Sequence, residues 1–200
     1  MTLYSYIVTA DSGFAPNPFH GVLTLACCKP TIRRTAQVGD WIVGLCRRGE
    51  RVVYAMQVAE KLSFDDYWAA PRFADKVPNK TSASAVARRG DNIYKPSGSG
   101  AFHQLPSSHS HEDGSEDPQS MRRDLGGRNV LVADEFVYFG GCGPYLPPEL
   151  DFLVVGRGHR CRFTPEQVEV VLHWLSTQPR GVRERPGRWP PDDNSWRESV

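Results

Sequence analysis

The sequence lacks a charge excess of either sign and any long hydrophobic run. Its 24 lysines and arginines nearly balance 23 aspartates and glutamates, so a net charge of +1 produces no overall attraction to nucleic acid or an anionic membrane. No stretch approaches the roughly 18 apolar residues of a membrane span, and the first residues have neither the charged start nor the apolar run of a signal peptide. A cytoplasmic protein without a membrane partner is therefore expected.

Cysteine pairing and common enzyme motifs are also missing. The five cysteines are odd in number and show no Cys-x-x-Cys spacing, which favours reduced and mostly packed thiols. The chain contains no Walker loop, dinucleotide-binding glycine fingerprint, Gly-x-Ser-x-Gly elbow or zinc-finger spacing. These absences disfavour the corresponding enzyme classes, and no cofactor is expected.

The 200 residues suit one domain, and 18 glycines with 16 prolines predict many turns and few long helices. Alternating apolar residues predict a strand over residues 3–9 and a hairpin whose two strands lie within residues 38–60. A further strand is predicted over residues 152–155. One helix is clearly marked over residues 165–177, because Thr164 and Gln167 form a capping-box pattern around Pro165. The pattern favours an α+β or β-rich domain.

Two regions depart from this regularity. Residues 74–129 lose hydrophobic periodicity and fill with Gly, Ser, Pro, His and Arg, which predicts a long irregular segment with short ordered islands. Residues 179–200 are rich in arginine and proline without a periodic apolar pattern, which predicts a disordered tail. The domain is accordingly expected to span residues 1–178.

Histidines in the irregular segment are the first candidates for chemistry. His109 and His111 are two apart and would share one face of an extended segment, and His103, Asp113 and Asp124 could add further ligands. Three interpretations remain open for them: a metal site, polar binding without metal, or solvated surface residues. Because fixed geometry is needed for a ligand set, we predict polar binding and no metal. A catalytic role would require a nearby nucleophile or an orienting carboxylate such as Asp124.

Four adjacent arginine pairs occur at predicted strand ends and in loops. They are Arg33-Arg34, Arg47-Arg48, Arg88-Arg89 and Arg122-Arg123. If the fold gathers two or three pairs, they would form a phosphate-binding patch despite the neutral total charge. The alternative is that each pair is isolated and screened. Aromatic residues between them could stack a nucleobase, although most aromatic side chains pack in the core.

The sequence contains several long and unusual motifs. They are Tyr4-Ser5-Tyr6-Ile7-Val8-Thr9, Asp11-x-Gly13-Phe14-Ala15-Pro16-Asn17-Pro18-Phe19, Cys28-Lys29-Pro30, Gly39-Asp40-Trp41, Tyr54-Ala55-Met56, Phe64-x-x-Tyr67-Trp68, Gly90-Asp91-Asn92-Ile93-Tyr94 and Phe136-x-Tyr138-Phe139-Gly140-Gly141. Together these motifs resemble the second nucleotide-modification-associated domain family, over roughly residues 2–178. The resemblance implies an association with bacterial and phage systems that make or handle hypermodified DNA bases, and it implies no particular molecular activity.

The hairpin within residues 38–60 is also similar to the central part of PUA-like domains, including the EVE, YTH and ASCH groups. In those domains a small mixed barrel holds a nucleobase, often a modified one. This resemblance implies an α+β fold with a small mixed β-barrel of PUA-like type, a few short helices and one C-terminal helix.

The leading hypothesis is binding of a modified nucleotide or base in nucleic acid, most simply DNA. The loop of residues 11–19 and the segment of residues 92–111 are predicted to form the walls of the pocket. Phosphate binding is predicted for Lys29, Arg33 and Arg34. Base or nucleotide binding is predicted for Ser5, Asp11, Asn17, Phe19, Trp41, Asn92, Tyr94, His103, His109, His111, Asp124 and Tyr138.

Two alternatives come from other functional classes. The first is a transferase or hydrolase that acts on a nucleotide or modified base, with His103, His109, His111 and Asp124 as acid, base or metal ligands. The second is a protein-interaction module with partners from a modification operon, which would expose apolar surface and would not bind nucleic acid.

Overall fold

The computed structural model describes residues 1–199 and shows a mixed α+β architecture with several sheets and short helices. The strands are β1 Leu3–Ile7, β2 Leu23–Leu25, β3 Trp41–Leu45, β4 Val52–Gln57, β5 Glu60–Ser63, β6 Tyr94–Pro96, β7 Phe102–Gln104, β8 Asn129–Ala133, β9 Phe136–Tyr138, β10 His159–Arg160 and β11 Gly181–Val182. The α-helices are α1 Pro30–Thr35, α2 Phe64–Ala69, α3 Ala85–Arg88, α4 Pro118–Leu125, α5 Pro165–Ser176 and α6 Ser195–Glu198, and the 3-10 helices span Pro71–Lys76, Gly140–Cys142 and Pro148–Leu153.

A six-stranded mixed sheet in the order β10-β1-β3-β4-β9-β11 forms the centre of the fold. The predicted hairpin is confirmed, because β3 and β4 pair antiparallel with Trp41 opposite Gln57. β1 runs parallel to β3, which places the start of the chain beside the hairpin. A three-stranded sheet, β2-β8-β5, and the small ribbon β6-β7 complete the β-structure.

The two faces of the central sheet pack against different layers. Leu3, Val43 and Val137 face α5, which buries Val171 and Leu175 against them. Alternate residues such as Tyr6 and Tyr54 face the three-stranded sheet and the irregular loops. Because side chains alternate across a strand, one continuous sheet separates the α5 layer from the layer that carries the candidate site.

Two local predictions have opposite outcomes. The helix predicted over residues 165–177 is confirmed as α5, with Thr164 and Gln167 forming the complete capping box. The strand predicted for residues 152–155 is wrong, because the chain forms a 3-10 helix up to Leu153 and then a loop. The prolines at 147 and 148 favour a helical turn over a ladder that needs N–H donors.

The segment of residues 74–129 is more ordered than its composition predicts. It contains α3, β6, β7 and α4, and it buries Ile93 and Tyr94 in a core cluster with residues of α2. Buried polar groups complete the packing, since Asp91 accepts hydrogen bonds from Thr24 and Tyr67 at 2.7 Å. These long-range hydrogen bonds stabilise the segment, and they cannot be predicted from hydrophobic periodicity.

The C-terminal segment also differs from its predicted disorder. β11 pairs with β9, and Trp189 and Trp196 are buried in the same core as Tyr6. The ring of Trp189 packs against Phe19 with centroids 5.4 Å apart. Two large aromatic side chains supply the burial that orders a segment otherwise made of arginine and proline. Within residues 1–199, no helix has the length and apolar character needed to cross a bilayer.

Candidate active site

The turn after β2 places Cys28 at the centre of the candidate site. Cys28 and Lys29 both have left-handed backbone, with φ of 60° and 40°, and Pro30 then begins α1. Left-handed backbone in residues other than glycine costs on the order of 1 kcal/mol and is enriched at functional sites. The turn leaves Cys28 half-buried, whereas Cys27 beside it is fully buried.

Asp124, near the end of α4, is a fully buried carboxylate with three donors. It accepts hydrogen bonds from the Tyr94 hydroxyl at 2.9 Å and from the Cys28 backbone N–H at 2.8 Å. It also pairs with Nδ1 of His109 at 2.6 Å. Asp124 therefore connects the β2–α1 turn to the loop that follows β7.

His109 lies between this carboxylate and the Cys28 thiol. Its Nε2 is 3.5 Å from Sγ of Cys28, and Nδ1 faces Asp124. Phe14 packs edge-on against the imidazole with ring centroids 4.8 Å apart, and Gln104 donates to the His109 carbonyl at 3.0 Å. These contacts hold the ring with one nitrogen toward the thiol and the other toward the carboxylate, as in the nucleophile–base–orienter arrangement of cysteine and serine enzymes.

The pKa of His109 is raised from 6.5 to about 9. Burial acts to lower it, but the hydrogen bonds to Asp124 and Cys28 and their charges outweigh the burial. Burial acts to raise the pKa of Asp124, and the hydrogen bond and charge of His109 bring it below its usual value. Both directions agree with an imidazolium–carboxylate ion pair at neutral pH.

Arg33 connects the backbone at Cys28 to the backbone at Asp124. It is fully buried and donates to the carbonyls of Cys28 and Asn129, each at 2.7 Å, and to the carbonyl of Asp124. Gly127 leaves room for it, because a Cβ there would lie 2.4 Å from the guanidinium carbon. The sequence predicts phosphate binding for Arg33, whereas its donors in the structure are directed at backbone carbonyls.

A metal interpretation of the same region involves Cys27. Its Sγ, a ring nitrogen of His109 and a carboxylate oxygen of Asp124 lie within 4.8 Å of one another. Three such donors match the protein ligands of a catalytic zinc site. However, burial raises the pKa of Cys27 well above its usual value, and both oxygens of Asp124 already accept hydrogen bonds. The hydrogen bonding therefore favours the arrangement that uses Cys28.

Of the four residues predicted as acid, base or metal ligands, only His109 and Asp124 are in direct contact. Tyr94 contacts Asp124 through its hydroxyl. His103 is exposed and lies 3.4 Å from Glu116, and His111 is exposed in a neighbouring turn. Sequence reasoning missed Cys28, which is 81 positions from His109. The one signal for it was the Cys28-Lys29-Pro30 motif of the family resemblance.

Several predicted base-binding residues instead hold the loops together. Asn17 donates to the Arg89 carbonyl at 3.0 Å and accepts from Lys76 at 2.8 Å. Asn92 is buried and donates to the Tyr67 carbonyl at 3.2 Å. Asn17 and Phe19, which lies in the core, connect the loop of residues 11–19 to the domain. The side chains of Asn17, Asn92 and Phe19 are all buried.

The remaining candidates are dispersed. Ser5 is buried in β1, and its hydroxyl has no hydrogen-bond partner among residues 1–199. Trp41 lies on the α5 side of the central sheet. Asp11 accepts hydrogen bonds from the Tyr138 hydroxyl and, at 2.7 Å, from Gly187 N–H, and burial raises its pKa.

Two predicted phosphate-binding residues are accessible. The Nζ of Lys29 lies 4.3 Å from the centroid of the Tyr6 ring and donates to the Ile7 carbonyl at 3.2 Å. Arg34 is exposed and donates to the Gly126 carbonyl at 3.2 Å. Of these two, Lys29 directly follows Cys28 and is the cation next to the candidate nucleophile.

The fold and these contacts define an α+β protein with a cysteine–histidine–aspartate site between its sheets and loops. A family model, nucleotide modification associated domain 2, matches residues 1–193, and the chain belongs to this family. The match includes most of the folded C-terminal segment. No curated protein and no solved structure matches the chain.

Proposed function

We propose that this protein is a thiol-dependent enzyme that modifies or hydrolyses a nucleotide or a modified base by acyl transfer. The observation that carries the proposal is the Cys28–His109–Asp124 arrangement, with Nε2 3.5 Å from Sγ and Nδ1 2.6 Å from the carboxylate. The family association with nucleotide modification supports the substrate class. This is the enzyme alternative of the sequence analysis, with Cys28 added as nucleophile.

Each residue has a defined role in this chemistry. The proton of Cys28 is held on Nε2 of the His109 imidazolium, and the Cys28 thiolate attacks an electrophilic carbonyl carbon. The S–C bond forms as the bond to the leaving group breaks, and His109 gives the proton to that group as a general acid. Water or an acceptor amine then attacks the thioester and releases Cys28. Asp124 orients the ring and stabilises its positive charge throughout.

Binding of a modified base without turnover is the second candidate. It is favoured by the contact between Phe14 and His109, because the loop of residues 11–19 and the segment of residues 92–111 were predicted to form the walls of one pocket and meet there. The mixed central sheet is compatible with a PUA-like barrel, which belongs to this proposal. In this second candidate function, the protein acts in the cytoplasm as part of a bacterial or phage DNA-modification or defence system. Its protein partners come from the same operon.

Alkylation by iodoacetamide tests the thiol without knowledge of the substrate. At neutral pH we expect half-buried Cys28 to react faster than the exposed Cys142 and Cys161, with each site followed by peptide mass spectrometry. His109→Gln should slow the reaction of Cys28 by about tenfold or more, because it removes the imidazolium whose positive charge stabilises the Cys28 thiolate. Cys142 and Cys161 are internal controls whose rates should not change. Equal rates at all three sites, unaffected by His109→Gln, would contradict the proposal.

The adjacent cysteine provides a matched control against the metal interpretation. Cys28→Ala should abolish the fast alkylation and any turnover of acylated nucleotides, whereas Cys27→Ala should retain both. A zinc centre predicts that Cys27, and not Cys28, is required for turnover. It also predicts zinc bound in stoichiometric amount in the wild type and lost in Cys27→Ala. Thermal unfolding of both variants establishes that each one is folded before it is compared. Zinc bound through Cys27 would replace the thiol mechanism.

A further inference from the structure

Two adjoining cavities lie on the surface beside the Cys28 turn. They share Thr9 and Arg47, so they form one continuous depression, which we name the basic groove. The larger cavity, about 650 Å³, has Lys29, Arg47, Arg48 and Arg157 in its lining. The smaller cavity, about 260 Å³, has Asp11, Arg47, Arg51 and Arg188 in its lining.

Positive charge is concentrated in this groove although the chain as a whole is nearly neutral. Its cationic side chains are Lys29, Arg47, Arg48, Arg51, Arg157 and Arg188. The one carboxylate among the lining residues, Asp11, already accepts hydrogen bonds from Tyr138 and Gly187. Within residues 1–199, Arg47, Arg157 and Arg188 form no salt bridge, and the Arg48–Glu50 pair is long at 3.9 Å and exposed.

The groove is longer than a single phosphate requires. Lys29 and Arg157 line the larger cavity, Arg188 lines the smaller one, and Arg47 lines both. Guanidinium groups bind phosphate oxygens in pairs of hydrogen bonds, and a row of them follows a phosphodiester backbone. Glycines and short valines make up much of the remaining lining, so a backbone can approach closely.

An exposed aromatic side chain lies at the Arg51 part of the groove. The guanidinium of Arg51 stacks on the ring of Tyr145 at 3.6 Å, and 64% of Tyr145 is exposed to solvent. An exposed ring held flat by a cation is the platform on which an unpaired base stacks in single-stranded nucleic acid complexes. A paired base inside a duplex has no free face for it.

We propose that the basic groove binds the phosphodiester backbone of single-stranded nucleic acid, so that the substrate of Cys28 is a base within a polymer and not a free nucleotide. The connection to catalysis is through Lys29, which lines the groove and directly follows Cys28. That connection rests on the proposed function, whereas binding of the strand by the groove does not.

Fluorescence anisotropy with a labelled single strand of about 12 nucleotides tests the groove. The full chain should bind, and log Kd should rise linearly with log salt with a slope of about 3 to 4 if four to six phosphates are contacted. Arg47→Glu combined with Arg157→Glu should weaken binding by at least about tenfold and reduce the slope by about 1.4. Lys80→Glu combined with Arg162→Glu makes the same change in net charge at exposed positions outside the groove, and it should bind like the wild type.

Competition distinguishes a polymer from a free nucleotide. Unlabelled single strand should displace the probe at far lower concentration than a nucleoside monophosphate or a duplex of the same sequence. Equal competition by the monophosphate, tighter binding of the duplex, or equal losses in the two double variants would each overturn the proposal.

Alkylation separates failure of the groove from failure of the enzyme. The single strand should protect Cys28 from iodoacetamide in the wild type and not in the Arg47→Glu, Arg157→Glu variant. His109-dependent reactivity of Cys28 without strand binding would overturn the groove and leave the thiol enzyme standing. Strand binding without fast alkylation of Cys28 would support the groove and contradict the enzyme.

Discussion

His109→Gln should remove a pH-dependent contribution to stability that the wild type carries. The pKa of His109 is 6.5 in an ordinary environment and about 9 here, because contacts with Asp124 and Cys28 outweigh burial. The folded chain therefore binds this proton more tightly than the unfolded chain does. The stabilisation is fully present below about pH 6.5 and is lost as the pH rises through about 9.

The magnitude follows from the size of the shift. Each pKa unit corresponds to about 1.4 kcal/mol, so a rise from 6.5 to about 9 contributes up to about 3 kcal/mol of unfolding free energy. The imidazole is 14% exposed and its partner carboxylate is fully buried, so solvent screens the pair only weakly. A contribution of this size is a large part of the stability of a typical domain.

Urea unfolding across this pH range provides the measurement, with the wild type and His109→Gln compared at each pH. The comparison is needed because Lys76 acts in the opposite direction. Burial lowers its pKa from 10.5 to about 8, so its contribution to stability rises with pH between those two values. Lys76 is present in both proteins and cancels in the difference. His103→Gln, at an exposed histidine, is the control and should follow the wild type.

The difference in unfolding free energy between wild type and His109→Gln should be largest at about pH 6 and should shrink toward zero by about pH 10. If the two proteins instead change in parallel across the whole range, His109 and Asp124 do not form an ion pair. The assignment of His109 as the imidazolium partner of Cys28 would then lose its electrostatic support.

Three further predictions concern the residues that build the site and the fold. Gly127→Ala should lower the free energy of unfolding, measured in urea, by about 1–3 kcal/mol, because the added Cβ displaces Arg33. It should also slow alkylation of Cys28, and unchanged alkylation would show that Arg33 does not position the thiol. Thr164→Ala should lower unfolding free energy by about 1 kcal/mol through loss of the α5 cap, whereas a loss near zero would mean that the cap is solvated. Trp189→Ala should lower the free energy of unfolding by about 3–5 kcal/mol, because it removes a large buried side chain. A melting temperature equal to that of the wild type would instead support a disordered C-terminal segment.

The hairpin and α5 were predictable because their signals are local. Alternation of apolar residues in β3 and β4 and the Thr164–Gln167 capping box each lie within a few residues of the structure that they specify. Residues 74–129 and the C-terminal segment were not predictable in this way. Their order depends on contacts such as Asp91 with Tyr67 and Trp189 with Phe19, whose partners are distant in sequence.

The candidate site shows the same division. His109 and Asp124 could be selected from residue type and composition, and the family resemblance could be seen in the motifs. Cys28 could not be selected, because a cysteine is a nucleophile only when a base lies beside it, and the base is 81 positions away. Arg33 was assigned to phosphate as a member of an arginine pair, whereas folding buries it among three carbonyls. Residue type specifies which chemistry is available, and long-range packing decides which groups are close enough to perform it.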